Sequence, residues 1–210
     1  MRAALAAIGC AVALSASALS ALAQSAADSD DRAACVETDK QGDDLAAVEP
    51  CLAAAEQGDV DSQLILARLC MIGSVARATG EQVYVADPAA AMKWCRRAAD
   101  QGSAKAQVEV GQLYAEGKGV PQDYAEAAKW YRRAADQENI GGQLYLGVLY
   151  EYGRGVSKDF VQAYKWYALA AGHPGRRVPN AERNRDYSAG KMSPAQLTQA
   201  QELVAAWRPQ

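Results

Sequence analysis

The residues of this chain that could do chemistry are few and poorly spaced for it. His173 is the single histidine, so no two imidazoles can share a metal ion, and no C-x-x-C brings two thiolates together. Gly111 and Gly117-Lys118 approach a phosphate-binding loop. The two glycines are six residues apart where five are required, and Gly119 stands where Ser or Thr would hold magnesium. Glu109 and Glu116 fall a turn or two apart on one candidate helix, a spacing that acid–base chemistry can use but that solvated helix faces show far more often. No nucleophile lies beside a base, so no catalytic residue, metal ligand or cofactor is assigned. Lys129, Arg132 and Arg133, echoed by Lys93, Arg96 and Arg97, form either a solvated stripe or a contact for an acidic partner surface. His173, beside Pro174, reads as an exposed turn residue.

The 210 residues include 46 alanines and one phenylalanine, and alanine is the strongest helix former. An all-helical fold with close helix contacts follows. With 22 basic against 25 acidic residues the chain lacks the basic excess that phosphate backbones require, so nucleic acid is not an expected partner. Residues 1–23 carry Arg2, an uncharged run from Ala3 to Leu14, and Ala21-Leu22-Ala23. This layout predicts a cleaved secretory signal with Gln24 as the new N-terminus, a periplasmic product and no membrane insertion after cleavage. The alternatives are an uncleaved anchor and, more weakly, lipid attachment at Cys10. Cleavage would leave Cys35, Cys51, Cys70 and Cys95 in an oxidising compartment, an even count that suggests two disulfides.

Residues 104–139 and 140–175 repeat one another with a period of 36. Gly111, Leu113-Tyr114, Gly117-x-Gly119-Val120, Asp123 and Lys129-Trp130-Tyr131 fall on Gly147, Leu149-Tyr150, Gly153-x-Gly155-Val156, Asp159 and Lys165-Trp166-Tyr167. A third copy, 61–103, matches with eight extra residues between Gly73 and Asp87. Each copy reads as helix A (roughly 104–116, ending at Gly117) and helix B, opened by Asp123 or Asp159 with Glu126 or Gln162 as the returning half of a capping box. Asp87-Pro88 opens helix B in the first copy. Residues 24–60 read as a degenerate leading hairpin. Residues 176–210 read as a capping segment whose final helix starts at the capping box Ser193-Pro194-Ala195-Gln196 and runs to about Trp207. It either covers the last repeat's apolar face or docks a partner.

The pattern A-x-x-x-x-G-x-L-Y-x-x-G-x-G-V-x-x-D-x-x-x-A-x-K-W-Y-x-x-A-A resembles the Sel-1-like repeat, a relative of the tetratricopeptide repeat. The resemblance implies a right-handed α-solenoid serving as an adaptor or scaffold for protein complexes, commonly periplasmic in bacteria, and not an enzyme. A regulator of an inner-membrane sensor or envelope enzyme is the alternative, and a cell-wall or β-lactam hydrolase a remote one. A monomer is expected, with an unidentified protein or peptide as partner.

The repeat register puts Cys70 and Cys95 in the slots of Tyr114 and Tyr131, and Cys35 and Cys51 in the corresponding places upstream. It therefore predicts the bridges Cys35–Cys51 and Cys70–Cys95, with free buried cysteines as the alternative. By the same resemblance helix A lines the concave side. Its variable positions, Ile65, Glu109 and Tyr145, then Arg68, Gln112 and Val148, then Ile72, Glu116 and Tyr152, are the candidate partner-binding residues. Several of them could equally pack between hairpins. The insertion Ser74–Ala86 is a candidate recognition loop anchored by Tyr84, held at its base by the Cys70–Cys95 bridge. Its Val83 and Val85 could instead cover the first hairpin.

Overall fold

The computed structural model describes residues 30–42, 44–72 and 86–209. The signal-like segment and most of the insertion, with Tyr84, lie outside these residues. Among the described residues are ten helices: α1 (30–41), α2 (Asp44–Glu56), α3 (Val60–Ile72), α4 (Pro88–Asp100), α5 (Ala104–Glu116), α6 (Tyr124–Asp136), α7 (Ile140–Tyr152), α8 (Phe160–Ala171), α9 (Pro179–Ala189) and α10 (Pro194–Ala206). From α2 to α9 each helix packs on the next, and α10 returns to α8, giving an all-helical solenoid. The A helices are α1, α3, α5 and α7; the B helices are α2, α4, α6 and α8.

Local chemistry sets the helix ends. Helices α5 and α7 stop at Gly117 and Gly153, whose φ values of 70° and 68° belong to the left-handed region that glycine enters without strain. Asp87, Asp123 and Asp159 each accept two orphan amides at the start of the following B helix. The returning halves expected from Glu126 and Gln162 are not made. The Glu126 carboxylate pairs with Lys129, and Gln162 contributes its backbone N–H to Asp159.

Two rows of contacts join the three repeats, one at each end of the helices, and the first row also reaches back to the leading hairpin. In the first, a buried glutamine near the start of each A helix donates to a carbonyl in the last turn of the preceding B helix: Gln63 to Ala55, Gln107 to Ala99 and Gln143 to Ala135. Gln101 and Gln137, just past their own B helices, donate to Gln63 Oε1 and Gln107 Oε1, both at 2.9 Å. His173 occupies that slot in the third repeat and contacts the Glu138 carbonyl at 3.0 Å instead. The buried Gln143 Oε1 consequently has no partner among the described residues. In the second row the A–B turns rest on the preceding repeat: a Cβ on Gly119 would meet the Pro88 oxygen at 2.1 Å, and one on Gly155 the Tyr124 carbonyl carbon at 2.2 Å.

Large side chains fill the space that small ones vacate. Tyr131 and Tyr167 lie over Gly111 and Gly147, where a Cβ would come within 2.5 and 2.6 Å of each ring. Trp130 and Trp166 are buried among alanines of the neighbouring helices. The capping segment contains a helix, α9, in a stretch that sequence reasoning assigned no structure. Pro179 opens it at the first helical position, and it packs on α8 through buried Ala181 and Ser188. Helix α10 begins with the Ser193–Gln196 capping box and also packs on α8. Its Ala200 is buried, and Trp207, just past its end, meets Trp166 edge-on at 6.4 Å.

One of the two expected disulfides is present. Cys35 and Cys51 are bonded, with Cα atoms 4.6 Å apart, while Cys70 and Cys95 are free thiols. Depth in the hairpin explains the difference. Cys51 and Cys95 are each eighth in their B helices. Cys35 lies six residues before the end of α1 and so faces Cys51, whereas Cys70 lies two residues before the end of α3. The mismatch amounts to about one helical turn, ~5–6 Å at 1.5 Å per residue. The insertion's base is therefore closed by a backbone bond, Asp87 N–H to the Cys70 carbonyl at 2.7 Å. The same bond joins Asp123 to Tyr114 and Asp159 to Tyr150 in the uninterrupted repeats, at 2.9 Å each.

Candidate functional site

Helices α1, α3 and α5 present their variable faces to a common groove of about 670 Å³. Leu64, Ala67 and Met71 of α3 and Leu113 of α5 make its apolar floor, joined by Cys95 from α4. Burial, aided by Glu109 and Cys70, pushes the Cys95 thiol up to about 12, so it contributes volume rather than a nucleophile. Charged pairs edge the groove: Asp39 with Arg68, and Glu116 with Lys118 at 2.7 Å. Glu109 also lines the groove, and burial raises its carboxyl above the usual range, with Lys105 opposing and Glu116 adding to the shift.

Five of the ten sequence-predicted positions line this groove: Ile65, Arg68, Glu109, Gln112 and Glu116. Gln112 donates to the Tyr145 hydroxyl at 2.7 Å, and Tyr145 stacks on Tyr131 with ring centroids 5.1 Å apart. Tyr145 thus borders the groove through Gln112 while its ring packs between the second and third hairpins. Val148 is half-buried on α7. Ile72 and Tyr152 are 54% and 60% exposed at the ends of α3 and α7, outside the groove lining. Arg154 lies over the Tyr152 ring at 5.4 Å, and the adjacent Glu151 carboxylate raises its hydroxyl.

Sequence reasoning missed the contribution of α1, whose Val36 and Asp39 form one wall. The signal was available in Cys35: a residue bonded across to helix B marks its own helix as an A helix, whose face continues the row. Of the basic residues of the B helices, Lys93, Arg96, Arg97, Lys129 and Arg133 are exposed, as a solvated stripe would be, and the arginines also lie against aromatic rings. Arg132 sits 4.9 Å from the Trp166 centroid and donates to the Tyr150 hydroxyl at 2.6 Å. Arg96 and Arg133 both approach Trp130, at 5.3 and 4.5 Å. No group of three or more His, Cys, Asp or Glu side chains suited to a metal ion occurs among the described residues.

Comparison with known proteins follows the same architecture. No curated protein matches the chain. Among solved structures, a protective antigen of uropathogenic Escherichia coli strains, displaying an SLR fold, is 31% identical with a TM-score of 0.55; the match covers 76% of this chain and 40% of that one. The chain thus spans about two fifths of that relative's length. A Sel1 repeat protein from Oxalobacter formigenes is 25% identical with a TM-score of 0.59, over 81% of this chain and 73% of that one. The Sel1 repeat itself is matched at residues 61–103, 104–139 and 141–172, more than half of the sequence, and the chain belongs to the Sel1 repeat family.

Proposed function

We infer that the protein is an exported, non-enzymatic scaffold whose A-helix face binds a protein or peptide partner in the bacterial periplasm. The observation that carries this reading is the groove between α1, α3 and α5, whose lining brings together five positions that vary between repeats, Ile65, Arg68, Glu109, Gln112 and Glu116, around a floor that includes the recurring Leu113. An apolar floor edged by charged pairs suits recognition of a partner's side chains. Export is supported by the Arg2, apolar run and Ala21-Leu22-Ala23 arrangement and by the buried Cys35–Cys51 bridge, which an oxidising compartment maintains. No described helix is long and apolar enough to cross a membrane. Likeness to a protective antigen of Escherichia coli accords with a location outside the cytoplasm.

A photocrosslinking amino acid placed at Gln112, and in a second variant at Lys129 on α6, tests the binding face in living cells. A discrete adduct from position 112 and none from 129 is expected; adducts from 129 alone would move the site to the B helices. N-terminal sequencing of the mature protein should begin at Gln24, and retention of Met1 would overturn the proposed export route.

A further inference from the structure

The carboxylates around the groove are paired, with one exception. Asp39 meets Arg68, Asp61 meets Arg32, and Glu116 meets Lys118. Among the described residues Glu109 has neither a hydrogen bond nor an ion pair within 4 Å; Lys105, one turn earlier, acts on it only at longer range. It is half-buried beside Cys95 and Tyr131, whose ionisation its charge opposes. The framework does not ask for an acid here, since the same slot holds Ile65 in the first repeat and Tyr145 in the third. A partly desolvated carboxylate without a partner is costly to the free protein, and a cation supplied by a ligand would satisfy it.

The geometry around Glu109 sets what must accompany that cation. Besides Glu109 the groove offers apolar contacts from Leu64, Ile65 and Met71 of α3 and from Leu113 of α5, while Tyr145 lies outside its lining, stacked on Tyr131 and bonded by Gln112. The A helices satisfy their backbone groups internally, leaving no strand edge for a ligand to extend, and recognition has to come from side chains. An extended segment keeps its own backbone solvated and can offer its side chains to such a surface. We propose that the groove selects an extended partner segment with a lysine or arginine seated on Glu109 and neighbouring apolar side chains on the floor formed by Leu64, Ile65, Met71 and Leu113. The proposal rests on the groove being the binding face.

Panning a phage-displayed library of random 12-residue peptides on the purified protein, and on Glu109→Gln, tests it. The wild type should enrich sequences in which a lysine or arginine is flanked on both sides by apolar residues. Glu109→Gln should keep the apolar anchors and lose the central preference, and Glu109→Lys should favour Asp or Glu there. In a synthetic peptide drawn from the wild-type pool, replacing the central lysine by norleucine should weaken binding to the wild type by about tenfold or more and leave binding to Glu109→Gln unchanged. Groove-binding peptides without a central cation, or an equal norleucine effect on both proteins, would overturn the proposal while the binding face stands. Failure of any enriched peptide to compete with crosslinking at position 112 would overturn both.

Discussion

Replacing His173 by glutamine should stabilise this protein, because it completes a row of bonds that the third repeat leaves open. In the first two repeats the residue past helix B donates to the glutamine of its own helix A at 2.9 Å; in the third, His173 turns to the Glu138 carbonyl and the buried Gln143 Oε1 is unpaired. His173→Gln gains a bond to a buried acceptor and gives up an exposed contact to the Glu138 carbonyl. The net gain is about 1 kcal/mol, which for a chain of this size corresponds to ~2–4 °C in Tm. Thermal melts followed by circular dichroism would measure it, and a double-mutant cycle with Gln143→Leu isolates the pair. The gain should vanish in the Gln143→Leu background. Equal stabilisation in both backgrounds, or none in either, would refute the reasoning.

Four further outcomes are expected. Glu138 holds φ of 61° in the slot where Gly58 and Gly102 sit at 102° and 92°, so Glu138→Gly should stabilise by ~0.5–1 kcal/mol; a lower urea midpoint would contradict this. Gly119→Ala should lower Tm by at least about 5 °C, through its φ of 72° and the approach to Pro88. Gly175→Ala, with φ of 75° and open space around it, should cost clearly less, and equal losses would show that the inter-repeat contact contributes nothing. Unfolding the chain from residue 24 onward without reductant should release two thiols to a thiol reagent, with Cys95 unreactive before unfolding; no released thiols would restore the Cys70–Cys95 bridge. Because burial raises the Glu109 carboxyl in the folded state, its ionisation costs stability as pH rises through that value. Glu109→Gln should therefore melt higher than wild type at pH 7 and equally near pH 4, whereas a pH-independent difference would remove Glu109 from its buried setting.

Residues that recur at the repeat interval disclosed most of the fold, because each has one physical task. Gly117 ends a helix, Asp123 begins one, and Gly111 admits Tyr131. Features set by depth rather than by slot were hidden. Cys70 matches Tyr114 in the alignment, yet a slot near a helix end does not face the middle of the next helix, so pairing failed there and held for Cys35. Helix α9 was hidden because its only start signal is Pro179, without a side-chain cap. Five of the fifteen groove residues, Ile65, Arg68, Glu109, Gln112 and Glu116, were legible as variation within helix A. Of the rest, Val36 and Asp39 belong to a hairpin too degenerate to align residue by residue, and Leu64, Ala67, Met71 and Leu113 read as core rather than as groove floor. Tyr145 shows why variation alone misleads: it varies and borders the groove, yet its ring also packs on Tyr131.

The two inter-repeat rows have a consequence for how such a protein can change. The glutamine row and the glycine turns lie at opposite ends of 13-residue helices, some 20 Å apart at 1.5 Å per residue. Two fulcrums so far apart set the angle between neighbouring hairpins, and with it the groove's width. Neither row uses Ile65, Glu109 or Gln112. The frame and the reading surface are thus mechanically separate, so a lineage can rewrite what the groove recognises without rebuilding the arch that holds it open, and whole repeats can be exchanged as long as both fulcrums travel with them.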